Sequence, residues 1–403
     1  MPVSSDHMEL VPPPVIFATI FPELGSTGVH THVHQFGGYL QQRGARVTIV
    51  TPFSWNRTLA YFVFGPRLVL RYCSPAVSVI WYRHWHEVFL YRALRRRLAG
   101  LGGCVIYAQG PLEANAALRA RRGPHQRVIM AVHFRSSQAD EHAEPGRELK
   151  RGGMVHRSIR KLERDVILRL DGIIYVSRWA HDALLAWLPE AEGVRSAVFG
   201  NAVEPPNFVD SPEKLADLVT VGRLDGPKNH RYLLRVLAAA NRAGRNLTLD
   251  VYGDGPLRNT LSRQVSSLGL DGQVRFRGFR RDVRDSLHSY RAYVHVSYAE
   301  TSSFSIIEAM AAGLPIVAAR IGGIPEIIED GVEGRFWPVD DPDRAAAILL
   351  EFLDSGSALK RAADAAQDRF RREFDINAVG ARMQSFLFEN MQRDNSDHAS
   401  ERL

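Results

Sequence analysis

Short apolar runs alternate with stretches of helical periodicity along most of the chain. The segment 157-RSIRKLERDVILRL-170 is one of the helical stretches. Alternation of this kind is typical of a parallel sheet with helices on both faces. The predicted strands are 14–21, 46–52, 104–109, 128–134, 172–177 and 196–201 in the first half and 217–224, 247–253, 273–279, 292–297, 315–319 and 334–339 in the second. The pattern therefore predicts an α/β protein with two doubly wound sheets.

A proline-rich segment interrupts this alternation at 204-EPPNFVDSPEKL-215, and we interpret it as a linker between domains. The length of 403 residues agrees, because a single core seldom grows beyond about 250–300 residues. We predict one Rossmann-like domain over 12–203 and a second over 216–375. A C-terminal helix at 376–393 is expected to pack back on the first domain, and the polar tail 394–403 is expected to be disordered.

The composition narrows the class of protein. Hydrophobic residues at 45% and charged residues at 24% are typical of a globular chain. The two cysteines, Cys73 and Cys104, are too few for a disulfide framework and suit a reducing compartment. The first residues lack the basic and then apolar run of a secretory signal, and no uncharged apolar stretch of about 18 residues occurs. These features predict a cytoplasmic protein without a membrane span.

The formal net charge of +7 is concentrated in the first half, where basic residues cluster in 81–98 and 119–127. The segment 81–98 mixes aromatic residues with arginines, which suits a helix lying on anionic lipid at the inner membrane face. The alternative is a solvated basic face whose other side packs on the N-terminal sheet. We expect peripheral membrane contact through 81–98, and no nucleic-acid binding, because no recognised binding module accompanies the basic residues.

In the second half, candidate chemistry follows the strands. Arg223 and Lys228 come after the strand segment 217-DLVTVG-222, Lys228 at the entry to a helix. A helix N-terminus offers unpaired N–H groups, and two cations beside it would complete a diphosphate pocket. The alternative is a solvated loop that is basic by chance. Gly253 opens a Gly-Asp-Gly turn after the next strand, where glycine permits close backbone approach.

Two glutamates bracket a serine-rich turn in 300-ETSSFSIIEAMAAGLPIVAA-319. Glu300 lies in the predicted loop and could accept hydrogen bonds from sugar hydroxyls. Glu308, one turn into the helix, could accept both hydroxyls of a ribose, because each carboxylate oxygen takes one donor. A simpler interpretation is a capping box between Ser305 and Glu308. Capping does not account for Glu300 together with the run of small residues that follows.

These motifs resemble the signature of the retaining glycosyltransferases of family 4, group 1, which have the GT-B fold. The second half carries the resemblance densely and the first half sparsely. The similar segments are 221-VGRLDGPKNH-230, 251-VYGDGP-256, 277-RGF-279, the glutamate motif and 322-GGIPEIIEDGVEGRFWPVDDP-342, with the Gly25 to Gly28 loop, 37–52, His133, 171–179 and 199–203 before them. One departure stands in the glutamate motif, where Ser302 and Ser303 replace the Phe-Gly of many members.

The resemblance implies two Rossmann-like domains facing each other across a cleft. It implies transfer of a hexose from a nucleotide-diphosphate sugar, UDP- or GDP-linked, to a hydroxyl of a glycan, glycolipid or small molecule. The catalytic residues it implies are Glu300, His133, Arg223 and Lys228. The donor-binding residues are Gly28, Arg223, Lys228, Gly253, Ser303, Phe304, Ser305 and Glu308. No metal or other cofactor is implied, and we expect the Asp340-Asp341 pair to cap a helix rather than bind a metal.

Two other functions stay open on the same fold. A nucleotide-sugar epimerase or hydrolase would turn over the donor without an acceptor, and a non-catalytic subunit would bind a sugar nucleotide and transfer nothing. A dinucleotide-dependent oxidoreductase is disfavoured, because the turn 25-GSTGVHTH-32 lacks the third glycine and no acidic residue ends the strand 46–52.

Overall fold

The computed structural model describes residues 12–21, 27–144, 148–208 and 215–389, except the side chain of Leu68. The predicted tail and part of the predicted linker lie outside these ranges. The chain divides into two compact units. The first comprises Met1–Tyr175, His181–Phe199 and Gly380–Leu403, and the second comprises Val176–Ala180 and Gly200–Val379.

The first unit contains a six-stranded parallel sheet in the order β2-β1-β3-β4-β5-β6. Its strands are β1 Val15–Ala18, β2 Val47–Val50, β3 Cys104–Ala108, β4 Gln126–Val132, β5 Gly172–Tyr175 and β6 Ser196–Val198. Its helices are α1 Gly28–Gln42, α2 Arg57–Phe64, α3 Arg67–Cys73, α4 Pro75–Arg97, α5 Pro111–Ala120, α6 Gln138–His142 and α7 Met154–Ile167, and α8 Arg178–Leu185 begins in the second unit. Short 3₁₀ helices follow at Pro52–Ser54 and Pro189–Gly193.

The second unit contains another six-stranded parallel sheet, in the order β12-β11-β10-β7-β8-β9. Its strands are β7 Ala216–Val221, β8 Leu249–Tyr252, β9 Val274–Gly278, β10 Tyr290–His295, β11 Ile316–Ala319 and β12 Gly334–Trp337. Its helices are α9 His230–Arg242, α10 Arg258–Ser267, α11 Phe304–Ala311, α12 Pro342–Asp354 and α13 Gly356–Arg369, and α14 Ile376–Phe388 starts here. Two 3₁₀ turns, Val283–Ser289 and Ile324–Glu326, and a π-helical turn, Phe370–Phe374, complete the unit.

Both sheets confirm the predicted α/β architecture. Each apolar run named above forms a strand, and the central strands are buried on both faces, as β3 and β10 show. In the first unit the core includes Phe17, Phe36 and Tyr107, whose rings meet edge to face. Such parallel strands give continuous apolar runs in the sequence because neither face meets water.

The second half of α14 lies in the first unit. Residues from Gly380 onward belong to it. A Cβ at Gly380 would stand only 2.8 Å from the ring of Tyr39, so glycine allows α14 to approach α1 closely. Farther along, the guanidinium of Arg195 lies over the Phe386 ring at 3.8 Å.

The segment 81–98 packs one side on the first unit and exposes the other. It forms most of α4, and its apolar residues Phe89, Leu90 and Leu94 are buried in the first unit. Its exposed residues are His84, Arg92, Arg95, Arg96 and Arg97. This part of the helix therefore offers solvent a basic face and keeps its apolar face in the core.

Candidate functional site

A charged cluster lies where β10 ends in the second unit. Lys228 Nζ forms an ion pair with a carboxylate oxygen of Glu300. His295 Nε2 lies 3.2 Å from the same oxygen, and the Ser297 hydroxyl donates to it at 3.4 Å. The strand order explains the meeting, because β10 lies next to β7 and the loops that follow neighbouring parallel strands share one edge of the sheet. A cation, a carboxylate, an imidazole and a hydroxyl are thus brought together.

The pKa of Glu300 shows which charge dominates. Burial favours the neutral acid, but the Lys228 ammonium and the His295 hydrogen bond outweigh burial and lower the pKa to about 2. Burial in turn lowers the pKa of His295, although Glu300 opposes this effect. At neutral pH the cluster therefore holds an ionised carboxylate against an ammonium.

Glycines fix the backbone that carries Glu300. Gly322 has φ 52°, and a Cβ there would lie 1.8 Å from the carbonyl oxygen of Glu300. A Cβ at Gly323 would lie 2.0 Å from the carbonyl oxygen of Thr301. The Gly323 N–H donates to the backbone carbonyl oxygen of Glu300 at 3.1 Å. Only glycine permits two chain segments to touch at these points. The Gly322-Gly323 turn therefore holds the Glu300 loop in place.

Gly253 likewise allows two backbone segments to touch, here beside β7. Its φ is 126°, and a Cβ would stand 2.0 Å from the carbonyl oxygen of Gly222. A Cβ at Gly255 would lie 2.5 Å from the Leu224 oxygen. The Gly-Asp-Gly turn therefore packs its backbone directly on the turn that carries Arg223.

Arg223 itself is exposed. Its side chain is 64% accessible and lies 3.3 Å from the carboxylate of Asp225. The Asp225 carboxylate also accepts from the backbone N–H of Lys228 at 3.4 Å. Arg223 and Lys228 thus extend from one turn between β7 and α9, the first into solvent and the second towards Glu300.

Glu308 lies in α11 in a different environment. The helix begins at Phe304, and its N-cap residue Ser303 makes no side-chain capping bond. The Ser303 hydroxyl lies 3.2 Å from that of Ser305. The capping-box alternative for Ser305 and Glu308 is therefore wrong. Burial raises the pKa of Glu308 to about 7, and the charge of Arg284 opposes this shift.

Sequence reasoning missed three residues at this site. His295 and His230 are buried, and the Nδ1 atom of each has no partner among the described residues. Burial, followed by Lys228, lowers the pKa of His230 to about 4. Asn229, just before α9, is the one residue other than glycine with positive φ in the described ranges, at 53°. A histidine within the apolar run 292–297 was a signal for His295, whereas no local pattern indicated the other two.

His133, a predicted residue of the first unit, lies in a cluster of polar and aromatic side chains. His133 follows β4, and its Nε2 lies 3.1 Å from the Gln109 side-chain oxygen. Its ring meets that of His32 edge to face at 4.7 Å, and His32 reaches the Tyr107 hydroxyl at 3.0 Å. Burial, and then His32, hold the pKa of His133 well below its usual range. His133 is therefore neutral at physiological pH. Gly28 is the exposed first residue of α1.

Glu113, which sequence reasoning did not single out, lies in the first turn of α5, after β3. One carboxylate oxygen accepts from the Ile20 N–H at 3.3 Å, and the other has no partner among the described residues. Burial raises the pKa of this carboxyl to about 7. It is a second polar group at the end of the sheet where His133 lies.

No group of three or more His, Cys, Asp or Glu side chains in the described chain is placed to hold a metal ion. Asp341 caps α12 by accepting from the Arg344 N–H at 3.0 Å, as predicted. Within the described ranges no helix has the length and apolar character needed to cross a bilayer.

Comparisons with known proteins agree with this architecture. The family described as Glycosyl transferases group 1 matches residues 216–355, and Glycosyltransferase Family 4 matches residues 26–205. The chain belongs to the group 1, family 4 glycosyltransferases. The predicted membership and GT-B fold class are thereby confirmed.

Relatives with assigned names include the glycogen synthase of Mycobacterium tuberculosis, 27% identical over 234 residues, or 56% of each chain. The match therefore spans little more than half of that relative. The phosphatidyl-myo-inositol mannosyltransferase of Mycolicibacterium smegmatis is 23% identical over 88% of both chains.

Solved structures share the fold. The Anabaena HepE protein in complex with UDP aligns with a TM-score of 0.65 and 19% identity over 93% of this chain and 99% of that one. Sucrose-phosphate synthase from Thermosynechococcus elongatus aligns with a TM-score of 0.73 and 16% identity, over 93% and 98%. At these identities the likeness concerns the fold.

Proposed function

We propose that this protein is an enzyme that transfers a hexose from a UDP- or GDP-sugar to a hydroxyl group, with retention of configuration at the sugar. The acceptor is a glycan, a glycolipid or a small molecule. The observation that carries the proposal is the pairing of Lys228 with Glu300 at the end of β10, beside the N-terminus of α11. A diphosphate competes with Glu300 for the ammonium, and the freed carboxylate then accepts from sugar hydroxyls.

The donor nucleotide is bound by the second unit in this proposal. Arg223 and Lys228 contact the diphosphate, aided by the backbone N–H groups of Ser303, Phe304 and Ser305 at the start of α11. Glu308 accepts from the two ribose hydroxyls. Gly253 contributes through its backbone, because its turn packs on the one that carries Arg223. Arg223, Lys228 and the N-terminus of α11 neutralise the leaving diphosphate, so the proposal requires no metal ion.

In the transfer step, the acceptor oxygen forms a bond to the anomeric carbon on the face from which the diphosphate leaves. The bond from that carbon to the phosphate oxygen breaks, and the acceptor proton passes to the departing phosphate. Negative charge grows on the diphosphate and positive charge on the sugar ring. Lys228 and Arg223 stabilise the first and the Glu300 carboxylate stabilises the second.

The first unit supplies the acceptor side. His133 is neutral, so it acts there as a hydrogen-bonding group near the transferred sugar and not as a cation. Gly28, the first residue of α1, allows the donor phosphate to approach the helix N-terminus. We place the enzyme in the cytoplasm, in peripheral contact with an anionic membrane, to which residues 81–98 contribute their exposed arginines.

The test begins with a panel of UDP-, GDP- and dTDP-sugars, with thermal stability and nucleotide release followed together. Stabilisation by one donor with little release is the expected result, because a ligand that binds only the folded state stabilises it by mass action. Rapid turnover of the donor without an acceptor would favour the hydrolase or epimerase. Binding that never leads to transfer with any acceptor would favour the non-catalytic subunit, and stabilisation by no donor would contradict the proposed site.

Two substitutions distinguish the proposed roles of Glu300 and Glu308. Glu308→Ala should weaken donor binding, whereas Glu300→Ala should damage transfer more than nucleotide affinity. A matched control is Glu351→Ala in the helix α12, which leaves both untouched. Small and equal effects of the two site substitutions would contradict the assignment of these roles.

A further inference from the structure

The segment 57–80 exposes large apolar side chains to an unusual degree. Phe62 is 76% exposed and Tyr72 is 92% exposed. More than half of the exposed large hydrophobic residues in the described chain lie between Leu59 and Ile80. We call this set the α2–α4 patch, and it consists of Leu59, Tyr61, Phe62, Val69, Tyr72, Val77 and Ile80. Concentrated exposure of this kind marks an interaction surface.

The patch rests on an ordered support. Helices α2 and α3 both pack against α4. The Trp81 indole N–H donates to the carbonyl of Val63 at 2.8 Å and so ties α4 to α2. Asn56 caps α2 by accepting from the Leu59 N–H, and the Phe64 ring stacks on His86 at 4.0 Å. The inward residues of α2 are therefore held in place by packing. Its outward residues are exposed although the helix that carries them is ordered.

The stretch of sequence that forms the patch is basic. No acidic residue occurs between Glu23 and Glu87 in the sequence. The arginines of this interval are Arg43, Arg46, Arg57, Arg67, Arg71 and Arg83. Among the described residues, Glu148 forms an ion pair with Arg71 at 3.9 Å. An excess of arginine beside apolar and aromatic side chains complements a surface that is anionic outside and apolar within.

We propose that the α2–α4 patch docks the protein on an anionic lipid bilayer. Its apolar and aromatic side chains enter the boundary between headgroups and acyl chains, and Arg57 and Arg71 meet the lipid phosphates. A second copy of this chain is a poorer occupant, because a symmetric contact would bring the same arginines face to face. The inference does not rest on the proposed transfer reaction.

A cavity lined in part by α2 and α3, which also carry patch residues, fits the same occupant. It has a volume of about 380 Å³ and is lined by Ile20, Phe21, Phe53, Phe64, Arg67, Arg71, Tyr82 and His86. Its walls are mainly apolar and aromatic, while Arg67 and Arg71 belong to α3, the helix that also carries Tyr72. Arg67 lies over the Tyr82 ring at 3.9 Å. A lipid chain thus has an apolar space next to two cations that suit its phosphate.

The position of this surface revises the expectation for 81–98. In that segment Phe89, Leu90 and Leu94 are buried, Trp81, Trp85 and Val88 are half-buried, and the exposed residues are all charged or polar. An interfacial helix requires both kinds of side chain on the lipid side. The preceding residues, 57–80, meet that requirement, and the arginines near the end of α4 add charge only.

The experiment is flotation of the full chain with vesicles, without any donor present. One set is phosphatidylcholine alone and the other contains equal parts of phosphatidylcholine and phosphatidylglycerol. We expect binding to the anionic vesicles at least about tenfold tighter than to the neutral ones, weakened by salt. The double variant Phe62→Ser/Tyr72→Ser should bind them about tenfold or more weakly, because two exposed rings no longer enter the lipid.

The matched control is Met154→Ser/Phe279→Ser, which removes two exposed apolar side chains outside the patch, of 80% and 52% exposure. This control should float as the unsubstituted protein does. Arg57→Gln/Arg71→Gln should lower anionic binding about tenfold and leave neutral binding unchanged. Circular dichroism and the thermal midpoint of each variant verify that it folds.

Two results would overturn the proposal. One is equal flotation of the patch variant, the control and the unsubstituted protein. The other is dimerisation, seen by sedimentation velocity, that the patch variant abolishes while no form of the protein floats. Donor binding is measured separately, and we expect the patch variants to retain it. Loss of vesicle binding in the patch variants, with donor binding intact, would support the docking surface. Failure of every form to bind a donor would contradict the proposed function and leave the docking surface unaffected.

Discussion

The Glu300 loop and the first turns of α11 carry glutamates only eight positions apart, yet the two carboxyls differ in charge state. Lys228 and His295 lower the pKa of Glu300 to about 2, whereas burial raises that of Glu308 to about 7. Burial opposes ionisation at both positions. The presence of a charged partner, and not burial, therefore decides whether a carboxylate here is charged.

Removing the partner should abolish that difference. Lys228→Met leaves Glu300 buried without its cation, so its pKa should rise towards that of Glu308. Transfer should fall about a thousandfold, because a charge on the leaving diphosphate also loses its counter-ion. Initial rates with the identified donor measure this effect. Lys228→Met/Glu300→Gln should cost far less than the product of the single effects, and strict multiplication of those effects would contradict the pairing.

Moving the backbone should displace Glu300 while keeping its partner. Gly322→Ala places a methyl group against the Glu300 carbonyl, at a position with φ 52°. We expect the free energy of unfolding to fall by about 2–4 kcal/mol, since both a clash and a strained backbone result. Urea unfolding followed by circular dichroism measures it.

Gly331→Ala is the control for that substitution. Its φ of 81° is also positive, but a Cβ there meets nothing within 4 Å. It should therefore show the backbone cost alone, about 1 kcal/mol. Equal losses for the two variants would mean that the contact with the Glu300 loop is unimportant.

The pH dependence of donor binding sharpens the comparison further. Glu308 should ionise through about pH 7, and only the carboxylate accepts two ribose hydroxyls, so donor affinity should rise about tenfold between pH 6 and 8. Because Glu300 stays ionised in this window, it contributes no change. Titration calorimetry measures the affinity. Glu308→Gln should flatten the profile, and an unchanged pH dependence in that variant would assign it to another group.

The same shift affects stability with a defined sign. The folded protein keeps a proton on Glu308 at pH values where the unfolded chain releases it. The stabilisation is therefore full below the pKa of the unfolded chain and is lost as pH rises through about 7. Comparison of Glu308→Gln with the unsubstituted protein across this range isolates the contribution from those of Glu113 and Glu163, which have similar values.

The smallest expected effect concerns Arg223. Its side chain is largely in solvent, where ion pairs contribute little, so Arg223→Gln should leave stability unchanged. Donor affinity should fall about fivefold through the loss of one diphosphate contact. Affinity for the free nucleoside, which lacks the diphosphate, should not change. A loss of nucleoside affinity would place Arg223 elsewhere in the site.

The sequence by itself determined the elements and the residue types at their ends. Parallel strands buried on both faces leave continuous apolar runs, so β7 and β10 could be located from local pattern, along with Lys228, Glu300 and Glu308 beyond them. The departure of Ser302 and Ser303 from the family motif was equally visible. These features are local, because they depend on neighbours in the chain.

Only the tertiary structure decided which of these groups meet. Lys228 and Glu300 are 72 positions apart and pair because the strands before them, β7 and β10, are adjacent in the sheet. Gly322 contacts the Glu300 loop because it follows β11, which also pairs with β10. Burial likewise separated Phe89, Leu90 and Leu94 of α4, which are in the core, from Phe62 and Tyr72, which are in solvent. Sequence patterns give hydrophobicity and spacing, whereas charge state and exposure depend on what the fold places around each side chain.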